Sequence, residues 1–146
     1  MSNSGKGLLL AAVCLFLCAQ SAVQAEALSA KEVYLKYRSA LAKAAKIEDL
    51  QSFMAKHVVD EIQQTPADMK PMMFGLMKET APKTVEILSE EVKGDNALLK
   101  LSGKGDSLFK GATITKEDTK GSVKLLRENG EWKIDKESWE SKIEAK

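Results

Sequence analysis

The stretch GSVKLLRENGEWKIDKESW, Gly121 to Trp139, reads as a β-hairpin and organises the rest of the chain. Asn129-Gly130 suits a two-residue type I′ turn, in which both central residues take positive φ, and such a turn sets the register of its flanks. Arg127 then faces Trp132, Leu125 faces Ile134 and Val123 faces Lys136. The other face pairs Lys124 with Asp135, Leu126 with Lys133 and Glu128 with Glu131. One face is apolar and the other mostly charged, the pattern of an antiparallel sheet covered on one side. Trp132 and Ile134 are expected to wall the space closed by the third helix, with Arg127 stacked on Trp132 as a cation–π pair.

Upstream of the hairpin the chain keeps to strands as far back as Pro82. Thr84 to Val92 and Asn96 to Leu101 flank Gly94-Asp95, a second tight turn. Ala97, Leu99 and Leu101 share a face. Val85, Ile87 and Leu98 are also apolar, on the opposite parity from Leu88 and Val92, so the second face of this sheet is not cleanly polar and offers a surface for a second subunit. Gly103 to Lys120 is polar and glycine-bearing, with a loop and one short strand expected near Phe109 to Thr115. Its lysines, with Lys104, Lys110, Lys116, Lys120 and Lys124 interrupted by Asp106, Glu117 and Asp118, read as a solvated edge.

Before Pro82 the apolar period is helical. Ser29-Ala-Lys-Glu32 is a capping box, and Val33, Tyr37, Ala40, Leu41 and Ala44 mark the stripe of the helix it opens. Leu50, Phe53, Met54, Val58 and Ile62 predict a second helix over Glu48 to Gln63, stopped by Pro66. A third lies between Pro66 and Pro82, with Pro71 in its first turn. Met69, Met72, Met73, Phe74, Leu76 and Met77 make it almost wholly apolar, as burial on more than one side would require.

At the start, Met1 to Ala25 carries one cation, Lys6, then an apolar run from Leu8 to Ala19 and Val23-Gln24-Ala25 before Glu26. This is the pattern of a secretory signal peptide, with cleavage expected between Ala25 and Glu26. The apolar run is shorter than the roughly 20 residues of a membrane span. A lipoprotein signal fits poorly, since Leu17 and Val13 precede Cys18 and Cys14 where a small residue is wanted. Removing residues 1–25 takes away both cysteines and leaves 121 of the 146 residues, with 21 cations against 21 acids. A neutral chain of that kind has no general pull on nucleic acid, needs no disulfide, and is long enough to bury a core as one domain, 26–146.

The fold class is therefore α+β: a signal peptide, then three helices packed on a curved antiparallel sheet of about four strands. Gly94-Asp95-Asn96-Ala97, Gly121-Ser122-Val123-Lys124-Leu125 and Asn129-Gly130-Glu131-Trp132-Lys133-Ile134, with Trp139 beyond, resemble the nuclear transport factor two-like superfamily. That fold is cone-shaped and also called cystatin-like. The likeness is strongest to small exported bacterial domains of unknown function, many of them lipoproteins. The resemblance implies a pocket between helices and sheet, lined here by Tyr37, Leu41, Phe53, Met73, Met77, Leu99, Leu125 and Trp132. It also implies a homodimer through the outer sheet face in many members. It does not imply one activity, because function lives in the site and not in the fold.

Candidate chemistry is sparse. His57, the only histidine, stands three and four residues before Asp60 and Glu61, so a carboxylate-oriented imidazole base is one reading, with Tyr34 or Tyr37 beside it in the cone. The plainer reading is a solvated imidazole near a helix end, with both tyrosines as core-edge aromatics whose hydroxyls reach water or backbone. Met69, Met72, Met73 and Met77 could hold Cu(I) through their thioethers, but Phe74 and Leu76 are interleaved and methionine is a common core filler. No nucleophile elbow, phosphate-binding glycine loop or cofactor motif occurs. The favoured expectation is a non-enzymatic binding module for a small apolar ligand or a protein partner in the periplasm or outside the cell.

Overall fold

The structure, a computed structural model, describes residues 26–104, 107–109, 112–114 and 119–140; for 107–109 and 112–114 the backbone alone is described. The expected signal segment, its cleavage bond at Ala25, and Lys110 and Lys116 lie outside these residues. The architecture is α+β. Helix α1 (Ala30–Lys43), a 3-10 helix (Ile47–Phe53), α2 (Lys56–Gln64) and α3 (Lys70–Thr80) come first. The strands β1 (Thr84–Lys93), β2 (Asn96–Lys104), β3 (Ser107–Phe109), β4 (Ala112–Ile114), β5 (Thr119–Glu128) and β6 (Glu131–Glu140) follow. One antiparallel sheet has the order β1-β2-β5-β6, and β3 with β4 forms a separate small hairpin where a single strand was expected.

The two turns behave as their residues require. Asn129 and Gly130 have φ of 52° and 81°, the double positive φ of a type I′ turn, and Gly94 takes 59° in the first hairpin. Arg127 donates its backbone N–H to the Asp95 carbonyl at 2.8 Å, tying the two hairpin tips together. Arg127 faces Trp132, Leu126 faces Lys133 and Leu125 faces Ile134, as the turn dictates, and the Arg127 guanidinium lies 4.4 Å from the Trp132 ring centroid.

Beyond Ile134 the register departs from the expected one. A β-bulge leaves Asp135 without a partner, so that Lys124 faces Lys136 and Val123 faces Glu137. One inserted residue reverses the parity of everything after it. Glu137 and Trp139, which strict alternation sends to the outer face, therefore join Trp132 and Ile134 on the core side. A second bulge, between Ile87 and Ser89, acts likewise on β1. It leaves Val85 and Ile87 packed against the core, while Leu88 and Val92 are exposed.

The core lies between this inner face and α1. Ala97, Leu99 and Leu101 of β2 and Val123 and Leu125 of β5 meet Val33, Tyr34, Tyr37 and Leu41, all buried. The α1 capping box is present in full: the Ser29 hydroxyl accepts from the Glu32 N–H, and Glu32 accepts from the Ser29 N–H at 2.8 Å. The expected helix over Glu48 to Gln63 is broken in two. Met54 and Ala55 are extended, and the Ala55 N–H donates to the Ile134 carbonyl at 2.8 Å. Edge strand β6 would otherwise leave that carbonyl unpaired, so a tertiary hydrogen bond overrides local helical propensity. The Lys56 N–H donates to the Glu128 carboxylate, which caps the restarted helix.

Helix α3 is also corrected. Pro71 sits in its first turn as expected, yet of its apolar residues only Phe74 is buried, while Met72 is 59% and Leu76 51% exposed. The helix lies on the surface of the core rather than inside it. Trp132 does not face it: its neighbours are Val33 and Phe53, beside the start of α1 and the 3-10 helix, whereas Ile134 does share a hollow with Met77 of α3.

Candidate functional site

Helix α1 presents Tyr34, Tyr37, Arg38 and Leu41 at spacings of three and four, hence on one face. Opposite them the bulged half of β6 presents Glu137 and Trp139. Tyr34 donates its hydroxyl to Glu137 Oε1 at 2.8 Å, Trp139 donates Nε1–H to the same oxygen at 2.8 Å, and Arg38 Nη1 stands 3.6 Å from it. All three contacts converge on Oε1. Arg38 also donates through Nη2 to the Pro82 carbonyl, which fixes its guanidinium over the end of α3. Tyr37 lies edge-on to Phe53, and its hydroxyl approaches Met77 Sδ at 4.0 Å. Gly121 faces Trp139 across the strands, and a Cβ there would run into the indole ring, so glycine makes room for the aromatic.

Burial raises both tyrosine hydroxyls well above their ordinary range, and the nearby Glu137 charge adds to the effect. A buried phenolate beside a carboxylate would be doubly disfavoured. Both phenols are thus held in the neutral form.

A hollow of about 260 Å³ opens over this cluster. Its apolar walls come from Leu41, Met54, Val58, Met77, Ile134 and Trp139, and its polar groups include the Tyr37 hydroxyl, Asp135 and Glu137. Of the eight residues expected to line a pocket, Tyr37, Leu41 and Met77 do so here. Phe53 and Trp132 line a different hollow of about 420 Å³, near the hairpin tip and residues 26–28. Leu99 and Leu125 are completely buried core residues, and Met73 packs on the core from α3. The expected single pocket is thus divided by the core itself.

His57 and Asp60 do not meet. Asp60 accepts from Lys56 Nζ at 2.7 Å, one helical turn away, whereas His57 Nε2 lies 2.8 Å from Asp135 Oδ1. The bulge re-aims Asp135 toward the start of α2, and this pair forms at the hollow's edge with His57 half exposed. Tyr34 and Tyr37 are buried, Tyr37 lines the hollow with Asp135, and the Tyr34 partner is the Glu137 carboxylate rather than water or backbone. On α3, Met69 and Met72 are exposed while Met73 and Met77 turn to the core, and at ~100° per residue Met72 and Met77 stand ~140° apart. Among the described residues no three His, Cys, Asp or Glu side chains gather as a metal site. No helix among them is long and apolar enough to cross a membrane.

Glu137 is the site residue that sequence reading missed. Its signal was present: Trp132 and Ile134 share one parity, Trp139 has the other, and a bulge between them is the way to bring all three inward.

No protein-family model matches this chain, and no curated protein matches it. Among solved structures it is similar to a SEC-C motif containing protein from Rhodopseudomonas palustris, at 13% identity and a TM-score of 0.37, over 72% of this chain and 90% of that one. A likeness at that level carries nothing about family or activity.

Proposed function

We propose that this protein is an exported, non-enzymatic binding module of the nuclear transport factor two-like kind, which holds a small apolar ligand between its helices and its sheet. The observation that supports this most is the hollow over Glu137: apolar walls, the buried phenol of Tyr37, and a carboxylate whose Oε1 is held by Tyr34 and Trp139. Ligand sites commonly combine apolar walls with a few placed polar groups. A volume of about 260 Å³ limits the ligand to a small molecule or to one end of a larger one, and the Glu137 carboxylate in the lining favours a hydrogen-bond donor on it. Export rests on the pattern of Met1 to Ala25.

The His57–Asp135 pair supports a second reading, an enzyme of the same fold in which Asp135 orients the imidazole as a general base. Mass spectrometry of protein purified gently from its own host tests the first reading. A low-mass compound near one per chain is expected, lost in Val58→Trp, which fills the hollow, while the circular dichroism spectrum is kept. A compound retained equally by both proteins would refute the assignment of the hollow.

A further inference from the structure

Helix α1, the end of α3 and the start of β1 enclose another hollow, of about 470 Å³. Its floor is apolar, formed by Leu35, Leu41, Ala42, Ala81, Pro82 and Val85, and its polar lining consists of Arg38, Lys78, Lys83 and Ser39. No carboxylate lines it among the described residues. Three cations around one depression are unusual in a chain whose charges otherwise nearly cancel, with 22 basic against 21 acidic residues.

Neither lysine is neutralised. Lys78 Nζ donates to the Ala44 carbonyl at 3.0 Å and lies 5.4 Å from the Phe74 ring centroid, which positions the ammonium without offsetting its charge. Lys83 is exposed and forms no ion pair among the described residues. Arg38 is only loosely offset: Nη1 makes no hydrogen bond, and Glu137 Oε1 stands 3.6 Å away. A depression lined by one sign of charge over low-dielectric walls concentrates its field and attracts counter-charge. Here the same depression also offers an apolar floor.

We propose that this hollow binds the anionic head group of a single-chain amphiphile, a carboxylate or a phosphate monoester, with Lys78, Lys83 and Arg38 around the head and the chain along Leu35, Leu41 and Val85. Lysine ammonium groups act as point charges that accept either head group. The site adjoins the hollow over Glu137 through Leu41 and Ala81, and Arg38 stands between the two, but Lys78 and Lys83 line this hollow alone, so their replacement tests this assignment without touching the other.

Isothermal titration below the micelle threshold tests it, with decanoate and decyl phosphate as probes, decanol as the uncharged chain, and acetate and inorganic phosphate as chainless anions. At least one charged amphiphile is expected to bind at least ~10-fold tighter than decanol and than its own chainless anion, a difference of about 1.4 kcal/mol. The K78Q/K83Q double variant is expected to lose at least ~10-fold of that affinity with unchanged circular dichroism and melting. Which amphiphile binds tighter identifies the head group. Decanol binding as well as both charged probes would overturn the role of the cations, and a chainless anion binding as well as its amphiphile would overturn the role of the floor. Full affinity in the double variant would place the amphiphile elsewhere and overturn the proposal.

Discussion

Raising the pH should unfold this protein through its two tyrosines, and the size of the effect follows from their surroundings. Tyr34 and Tyr37 are the only tyrosines in the chain, and burial, then the Glu137 charge, raises both above the ordinary value of 10.0. In the unfolded chain each phenol loses its proton near that value, while the native state retains both. A raised native pKa contributes stability that is complete below the unfolded pKa and is lost as pH climbs toward the native one. The linkage relation sets the slope at ~1.4 kcal/mol per pH unit for each tyrosine, so about 2.7 for the pair. From pH 10 to about pH 12 the loss is then ~5 kcal/mol, comparable with the whole stability of a marginal domain. Lysines discharge in the same range, and the Tyr→Phe variants isolate the phenol contribution because each removes a single ionisable hydroxyl. Urea melts should show Tyr37→Phe gaining on wild type, relative to their difference near pH 8, by ~1.4 kcal/mol near pH 11 and ~2.7 near pH 12. Tyr34→Phe should share the shallower alkaline slope but begin ~1 to 3 kcal/mol lower, having lost a hydrogen bond to a carboxylate. Tyrosinate absorbance should rise only together with the loss of circular dichroism. If it rises near pH 10 while the native spectrum persists, the hydroxyls reach water and the buried cluster is wrong.

Three further outcomes follow from single contacts. Trp132→Ala should cost ~3 to 5 kcal/mol in urea melts, since the ring is buried against the 3-10 helix and α1 and stacked by Arg127; an unchanged midpoint would place the ring in solvent. Ser29→Ala removes the capping box at the start of α1 and should lower stability by ~1 kcal/mol, most of it restored by Ser29→Asp. Gly121→Ala should destabilise by ~1 to 3 kcal/mol and change the fluorescence of Trp139, whose ring occupies the space a Cβ would take; a neutral substitution would mean that strand and ring are not in contact.

Local chemistry in the sequence decides much of this fold. Asn129-Gly130 demands positive φ at two successive residues, and Ser29 with Glu32 demands a helix start; both are satisfied as written. Alternation along Asn96 to Leu101 and around Val123 and Leu125 marks the face that becomes the core, because period two permits no other burial. Tertiary structure decides the rest. The break at Met54-Ala55 exists because an edge carbonyl of β6 needs a donor, a demand written some eighty residues further along the chain. The bulge at Asp135 turns Glu137 inward to meet Tyr34 and Arg38, and it hands Asp135 to His57. These partners are brought together by strand register rather than by spacing, and a one-residue shift in register exchanges the inner face for the outer. The elements of the candidate site and the parity clash that calls for a bulge were therefore legible in the sequence, and which carboxylate the bulge turns inward was decided by strand register.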